Sequence, residues 1–151
     1  MNKKLLWKRI GFYFLSFTWG FITSFIGLIV ISIAACFKRV HVFHGRLYAV
    51  IGKDWGGLEL GCFFVCCDNQ WDEEYNTHLR AHESGHGIQN IIFGPLMPFV
   101  VMLPSAIRYW YREWLYKKDR EKYYKLPDYD AIWFEGWASA LGHKYVVTDR
   151  I

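Results

Sequence analysis

A run of 28 uncharged residues, at positions 10–37, limits most strongly what this chain can fold into. Basic side chains flank it, with Lys8 and Arg9 before it and Lys38 and Arg39 after it. A helix crosses the hydrocarbon core of a bilayer with about 20 apolar residues, so this run is long enough to span a membrane with tilt. A cleaved signal peptide has a shorter apolar region, of about 7 to 15 residues. We therefore predict a retained transmembrane helix over residues 10–37, with a buried helical hairpin as the alternative.

The net charge of +4 resides in the N-terminal flank of this run. The first nine residues carry four of the 18 basic side chains and no acidic one, which leaves 14 basic and 14 acidic side chains in the remainder. This distribution favours attachment to a membrane and argues against a nucleic-acid partner. Four basic residues precede the run and four follow it by Lys53, so the positive-inside rule leaves the orientation open.

The pentapeptide HESGH, at residues 82–86, has the spacing of a zinc site. On a helix, residues four apart lie on one face about a turn apart, so His82 and His86 can bind one Zn²⁺ at about 2.0 to 2.1 Å. Glu83 lies beside the pair. From there it can act as the general base on a zinc-bound water and later protonate the leaving amine.

The motif helix is predicted to begin near Asn76 or Thr77, either of which can cap it, and to end near Phe93. Gly85 and Gly87 flank the second histidine of the motif, although glycine costs a helix about 1 kcal/mol relative to alanine. This cost indicates a close approach at these positions, by a second backbone, by substrate or through packing.

A catalytic zinc needs three protein ligands, and the candidate for the third is Glu135. The metzincin extension is absent, because positions 89 and 92 hold Gln and Ile. Glu135 lies 49 residues after His86, within an apolar stretch at residues 130–145 that predicts a helix. An unpaired carboxylate would be costly in such a helix, and ligation to zinc removes that cost.

Two β-rich runs, residues 47–51 and 58–66, are separated by GKDWGG, which predicts a hairpin or a bulged connection. Residues 55–61 fit an edge strand, to which an extended peptide can add through main-chain hydrogen bonds, with a plain hairpin on the motif helix as the alternative. The predicted fold class is α+β. An N-terminal transmembrane helix precedes a minimal zincin-like domain with a small hairpin or sheet, the HExxH helix and a helix carrying the glutamate ligand.

The chain is predicted to divide into a membrane anchor at 1–37 and a zincin-like domain at 38–151. Within the domain, three prolines break the apolar segment 91–107 into pieces shorter than a span: Pro95, Pro98 and Pro104. We predict that this segment dips into the membrane interface or packs on the N-terminal helix. A full second span, the alternative, would place the site inside the membrane. The aromatic and basic residues 107–125 predict an amphipathic helix at the membrane surface, or else an ordinary surface helix.

The helix around Glu135 reads EGWASALG over residues 135–142, and with HExxH it resembles the membrane-bound gluzincins, such as the CAAX prenyl endopeptidases and the membrane heat-shock proteases. The H-E-x-x-H-x-x-Q-N, F-G-P and P-S signatures also resemble small bacterial membrane proteins of metallopeptidase type. The resemblance implies zinc ligation by His82, His86 and Glu135, Glu83 as the catalytic base, and a bacterial cell membrane location. Ser139 stands where the family usually has Asp, so either Asp130 substitutes as the acid that orients a ligand histidine or activity is modest.

Gluzincins also need a donor to the oxyanion of the tetrahedral intermediate. His143, eight residues after Glu135 on nearly the same helical face, is the predicted donor. The alternatives are three tyrosines: Tyr124, Tyr129 and Tyr145. His78 extends the histidine stripe by one turn, and we expect an outer or solvent role for it rather than ligation.

Together these patterns predict a membrane-anchored zinc metallopeptidase that hydrolyses peptide bonds near the bilayer. Its predicted partners are a peptide or protein substrate and membrane lipid, and no nucleic acid. Two alternatives stay open: a non-catalytic membrane protein that keeps a zincin-like fold as an interaction module, and a zinc hydrolase of a non-peptide amide. The substrate, the side of the membrane that the site faces and the oligomeric state do not follow from the sequence.

Overall fold

The N-terminal apolar run forms two helices in the computed structural model, which describes residues 3–53, 55–68 and 72–148. Helix α1 spans Lys3–Thr18, helix α2 spans Phe21–Cys36, and the chain bends by 100° between them. The Asn90 side chain lies at the bend between α1 and α2. Its Nδ2 donates to the Gly20 carbonyl over 3.3 Å, and its Oδ1 accepts from the Thr23 hydroxyl over 2.7 Å. Because these bonds pair the polar groups at the break, the chain can turn there, and the prediction of one continuous helix over residues 10–37 is wrong.

The two faces of the α1–α2 pair lie in different surroundings. Phe12, Ile31 and Ala34 point inward and are buried in a core that includes Phe63 and Val65. Large apolar side chains stay exposed on the outer side of the pair: Trp7, Phe14, Phe25, Ile29 and Ile33. The pair therefore completes the core on one side, as the predicted hairpin alternative would, and presents apolar surface on the other.

No single helix in the described part of the chain is both long enough and apolar enough to cross a membrane. Two bent pairs of helical segments reach that length and composition together. They are α1 with α2, bent by 100°, and Glu73–Leu96 with Pro98–Lys118, bent by 114°. The membrane location therefore stays a prediction.

Four short strands form one mixed sheet in the order β1-β2-β4-β3. Their bounds are Val40–Phe43 for β1, Arg46–Val50 for β2, Gly57–Leu60 for β3 and Phe63–Cys66 for β4. β4 is buried along its whole length and pairs in parallel with β2 and antiparallel with β3.

The β-rich run at residues 58–66 forms two strands, because the chain reverses at Gly61. Gly61 has a φ of 77°, which L side chains rarely adopt, so β3 and β4 form a hairpin with each other. The two predicted β-rich runs meet instead through the parallel pairing of β2 with β4. β3 lies at one edge of the sheet, as predicted for residues 55–61.

Helix α3 spans Glu73–Phe93 and carries the HExxH motif. It begins before the predicted start at Asn76 or Thr77, because the Asp72 carboxylate accepts the N–H of Tyr75 over 2.8 Å and caps the first turn. The helix ends at Phe93, as predicted, and the next residue is a glycine with a φ of 55°.

After α3 the chain turns by 114°, through a 3-10 turn at Gly94–Leu96 and a π-helical turn at Pro98–Met102. Helix α4 then spans Leu103–Lys118, and helix α5 spans Arg120–Tyr124. The predicted helix at 107–125 is thus two helices, because Asp119 ends α4 and its carboxylate caps α5. Trp19 lies against Gly94, which agrees with the predicted packing of segment 91–107 on the N-terminal helix.

Helix α6 spans Trp133–Leu141, between a 3-10 turn at Tyr129–Ala131 and a π-helical segment at Gly142–Thr148. It packs directly on α3 through two glycines. A Cβ on Gly85 would lie 1.8 Å from the Ala138 carbonyl oxygen, and a Cβ on Gly142 would lie 1.9 Å from the Ala81 carbonyl oxygen. The close approach indicated by Gly85 is therefore that of a second backbone, and it brings α6 alongside the HExxH motif.

Candidate metal centre

Three buried side chains from α3 and α6 meet at one point. Glu135 Oε2 lies 3.1 Å from His82 Nε2 and 3.2 Å from His86 Nε2, and the two Nε2 atoms are 3.1 Å apart. One potential ligand atom from each residue lies within 4.8 Å of the others. The structure thus brings together the three residues that the sequence predicts as zinc ligands.

The outer nitrogen of His82 is engaged by a chain of two side chains. His82 Nδ1 lies 2.8 Å from Ser139 Oγ, and the Ser139 hydroxyl donates to Asp130 Oδ2 over 2.6 Å. Because Ser139 donates its only hydroxyl proton to Asp130, His82 Nδ1 must be the donor in the bond between His82 and Ser139. His82 therefore carries its proton on Nδ1 and directs a lone pair from Nε2 toward Glu135.

The outer nitrogen of His86 is engaged in the same way. His86 Nδ1 lies 2.7 Å from Gln89 Oε1, and Gln89 Nε2 donates to the Phe134 carbonyl over 2.7 Å. The second bond fixes the orientation of the amide, so Gln89 Oε1 accepts from His86 Nδ1. His86 therefore also directs a lone pair from Nε2 toward Glu135.

With these tautomers, three acceptor atoms face one another at hydrogen-bond distance and none of them has a proton to give. Such a cluster is stable only around a positive charge. Outer partners that hold both histidines as Nδ1–H tautomers are the arrangement found around zinc sites, and two His with one Glu form an established catalytic zinc set. The donor set and its orientation fit a zinc ion.

The electrostatics of the cluster attract a cation. Burial raises the pKa of the Glu135 carboxyl, but the close contacts with His82 and His86 outweigh this effect, and the net pKa lies far below the ordinary value. Burial lowers the pKa of His86, whereas its hydrogen bond with Glu135 raises it, to about 9 on balance. In a metal-free molecule a proton on His86 would therefore supply the positive charge, and a metal ion would displace it.

Glu83 lies beside the cluster without belonging to it. The side chain is buried, and it packs on the edge strand: a Cβ on Gly57 of β3 would lie 2.6 Å from Glu83 Oε1. Burial raises the pKa of Glu83. Glu83 and the three candidate ligands together line a cavity of about 850 Å³, whose other walls include residues of β3 and α4.

Among the predicted oxyanion donors, Tyr129 lies on the same side of the cluster as Glu83. Tyr129 lines the cavity of Glu83, and its hydroxyl lies 3.2 Å from Ser105 Oγ. His143 instead lines a second cavity, together with His82 and Ser139 but without Glu83. Tyr124 and Tyr145 line neither cavity.

His78 stays outside the metal cluster. Its ring centroid lies 6.5 Å from that of His82, and the side chain reaches the walls of both cavities. It does not belong to the group of potential ligands found among the described residues. This placement agrees with the predicted outer role.

Two residues for which the sequence predicts no role support the motif. Gln89 follows His86 by three residues, a helical spacing that could have identified it as a partner. Arg46 of β2 is buried, donates from Nη1 to the Ser84 carbonyl inside the motif, and lies 4.1 Å from the centroid of the Phe12 ring. No local pattern predicts this contact, because Arg46 and Ser84 are 38 positions apart.

Ser139→Ala should weaken zinc binding by about 10- to 100-fold, because it removes the bond that orients His82 and disconnects Asp130. Zinc affinity measured by competition with a chelator tests this. Thr148→Ala is the control, since that hydroxyl is exposed and donates to the His143 carbonyl, outside the cluster. Equal affinities in the two variants would mean that Asp130 and Ser139 do not act on the metal.

Comparisons with known proteins add nothing to this geometry. Scans of family models, curated proteins and solved structures each found no match to this chain. The resemblance to membrane-bound gluzincins therefore rests on the motifs alone, and the case for a function rests on the arrangement of the residues.

Proposed function

We propose that this chain is a membrane-attached zinc metallopeptidase whose ion is held by His82, His86 and Glu135. The observation that carries the proposal is the convergence of three lone pairs, each oriented by its surroundings, beside a buried carboxyl that is not a ligand. A zinc site that only stabilises the fold would need no such carboxyl next to it.

Each group near the metal has a distinct role in peptide hydrolysis. When bound, zinc supplies a water of lowered pKa and polarises the substrate carbonyl. Glu83 accepts the proton of the attacking water and delivers it to the leaving amine, a task for which its raised pKa suits it. Tyr129, whose hydroxyl is positioned by Ser105, donates to the oxyanion in place of His143, which lines the other cavity.

The edge strand β3 supplies a place for the substrate backbone. β3 pairs with β4 on one side, and Gly57, at its start, lies against Glu83. A peptide added as a further strand would gain main-chain hydrogen bonds and run past the catalytic carboxyl. Leu58 is 45% exposed on this strand, so its apolar side chain is accessible to such a peptide.

Attachment to a membrane is supported by the outer surface of the α1–α2 pair. Exposed apolar patches on soluble monomers rarely exceed a few hundred Å², and they mark contact with lipid or protein. Here the exposed apolar side chains include Phe14, Phe25 and Ile29. Lys and Arg side chains lie in the first turns of α1 and shortly after the end of α2. Lipid contact would bury this surface while the basic flanks meet the headgroups.

Metal analysis of the purified full-length chain tests the proposal. We expect one zinc per chain, and none in either His82→Ala or Glu135→Ala, because two remaining ligands do not hold the ion. Glu121→Ala is the matched control, since that carboxylate is exposed on α5 and pairs only with Lys125 among the described ion pairs. Wild-type protein without zinc would exclude the metallopeptidase and favour the non-catalytic interaction module.

A further inference from the structure

A second apolar surface lies along α4 and the turn before it, and one of its residues, Trp110, also lines the cavity of Glu83. Five large apolar side chains there are spaced four, four, three and four residues apart: Phe99, Leu103, Ile107, Trp110 and Trp114. This is the spacing of a single helical face. Each of the five is more than half exposed, from 51% for Trp114 to 69% for Phe99. We call this surface the α4 stripe.

The order of side chains along the α4 stripe indicates what covers it. Aliphatic and phenyl groups come first, with Phe99, Leu103 and Ile107, and indole rings follow at Trp110 and Trp114. Lys117 and Lys118 close the helix, and Lys118 Nζ lies 4.6 Å from the Trp114 ring centroid. In a bilayer, hydrocarbon groups lie deepest, amphipathic rings lie at the interface, and cations lie among the headgroups. The side chains of the α4 stripe and the two lysines follow the same order. A protein partner would not require such a gradient.

We propose that the α4 stripe inserts into the lipid–water interface, with its Phe99 end deeper than its Trp114 end, and that Lys117 and Lys118 contact anionic headgroups. The described residues of the chain leave this surface uncovered, and Trp19 against Gly94 joins the start of the segment to the α1–α2 pair. The anchor and the stripe would then contact one membrane.

The stripe also borders the cavity of Glu83. Trp110 belongs to the stripe and lines the cavity of Glu83, and its neighbours Met102, Ala106 and Tyr109 line the same wall. If the stripe is immersed, the mouth of the cavity lies at the membrane interface. The substrates would then be peptide segments that partition into the membrane, a conclusion that rests on the proposed peptidase function, whereas the insertion itself does not.

Insertion is tested by depth measurements on the full-length chain in vesicles of phosphatidylglycerol and phosphatidylcholine. Each variant carries one introduced cysteine in a Cys36→Ser background, in which the three remaining native cysteines are buried. An environment-sensitive fluorophore is attached at Phe99→Cys, Ile107→Cys or Trp114→Cys, with Tyr124→Cys as the exposed control on α5. We expect nitroxides on the acyl chains to quench position 99 most and position 114 least. Aqueous iodide should quench only position 124 strongly.

Two outcomes would overturn the insertion. Iodide quenching at position 99 or 107 equal to that at position 124 would show that the stripe faces water. Protection from iodide without quenching by lipid nitroxides would show that a protein, or a second copy of the chain, covers the stripe instead.

Ile107→Glu tests the link to substrate entry. Cleavage of a membrane-embedded peptide should fall severalfold while cleavage of a soluble peptide stays unchanged, and Tyr124→Glu should alter neither. Equal loss on both peptides would exclude entry from the membrane. If wild-type protein cleaves no peptide, the peptidase proposal fails, but the depth measurements still decide whether the stripe inserts.

Discussion

Glu83→Gln should keep the zinc and lose peptide hydrolysis by about 10²- to 10⁴-fold, the range that general acid–base groups contribute. Glutamine has nearly the shape of glutamate but cannot accept the proton of the attacking water. The zinc ion should stay bound, because Glu83 is not one of the three candidate ligands and packs on β3 instead. Zinc content and cleavage of a fluorogenic peptide, measured on the same preparation, test both halves of this expectation.

Glu121→Gln, the same substitution at an exposed carboxylate, is the control and should retain full activity. If Glu83→Gln cleaved peptide at the wild-type rate, another base would have to act in the cavity. If wild type and Glu83→Gln both held zinc but neither cleaved peptide, the peptidase function would be excluded while the zinc site would stand. If Glu83→Gln loses activity as expected, a proteome comparison of cells producing wild type or Glu83→Gln would identify the substrates, since they should accumulate with the variant.

The sequence predicts that His82, His86 and Glu135 come together because each is marked by its own local pattern. The helical repeat places His82, His86 and Glu83 relative to one another, and a carboxylate in an apolar helix, Glu135, must have a partner. These two arguments need no knowledge of the tertiary fold. The α+β class follows as well, because the β-rich runs and the helical motif are each marked by their own composition.

Longer-range contacts decide what the sequence does not predict. Gly20 and Asn90 are 70 positions apart, and their bond allows the bend that divides the apolar run into two helices. Hydropathy cannot distinguish that bent pair from one span. The parallel pairing of β2 with β4 and the link from Asp130 through Ser139 to His82 likewise depend on how distant elements pack.

Gly85→Ala should destabilise the protein and release the zinc, although helix propensity alone predicts the opposite sign. Alanine favours a helix over glycine by about 1 kcal/mol. The added Cβ would lie 1.8 Å from the Ala138 carbonyl oxygen, a backbone atom that cannot rotate away. Forced overpacking of this kind costs about 1 to 3 kcal/mol, and α6 can relieve it only by moving away from α3. That movement carries Glu135 away from both histidines.

Gly11→Ala is the matched control, because Gly11 lies in the interior of α1 and a Cβ there would meet no atom within 4 Å. It should leave the melting temperature unchanged or raise it, whereas Gly85→Ala should lower it by several degrees, at about 2 to 4 °C per kcal/mol for a chain of this size. Thermal unfolding and zinc content of both variants decide the matter. A rise in melting temperature for Gly85→Ala with zinc retained would mean that the closeness of α3 and α6 does not hold the metal site together.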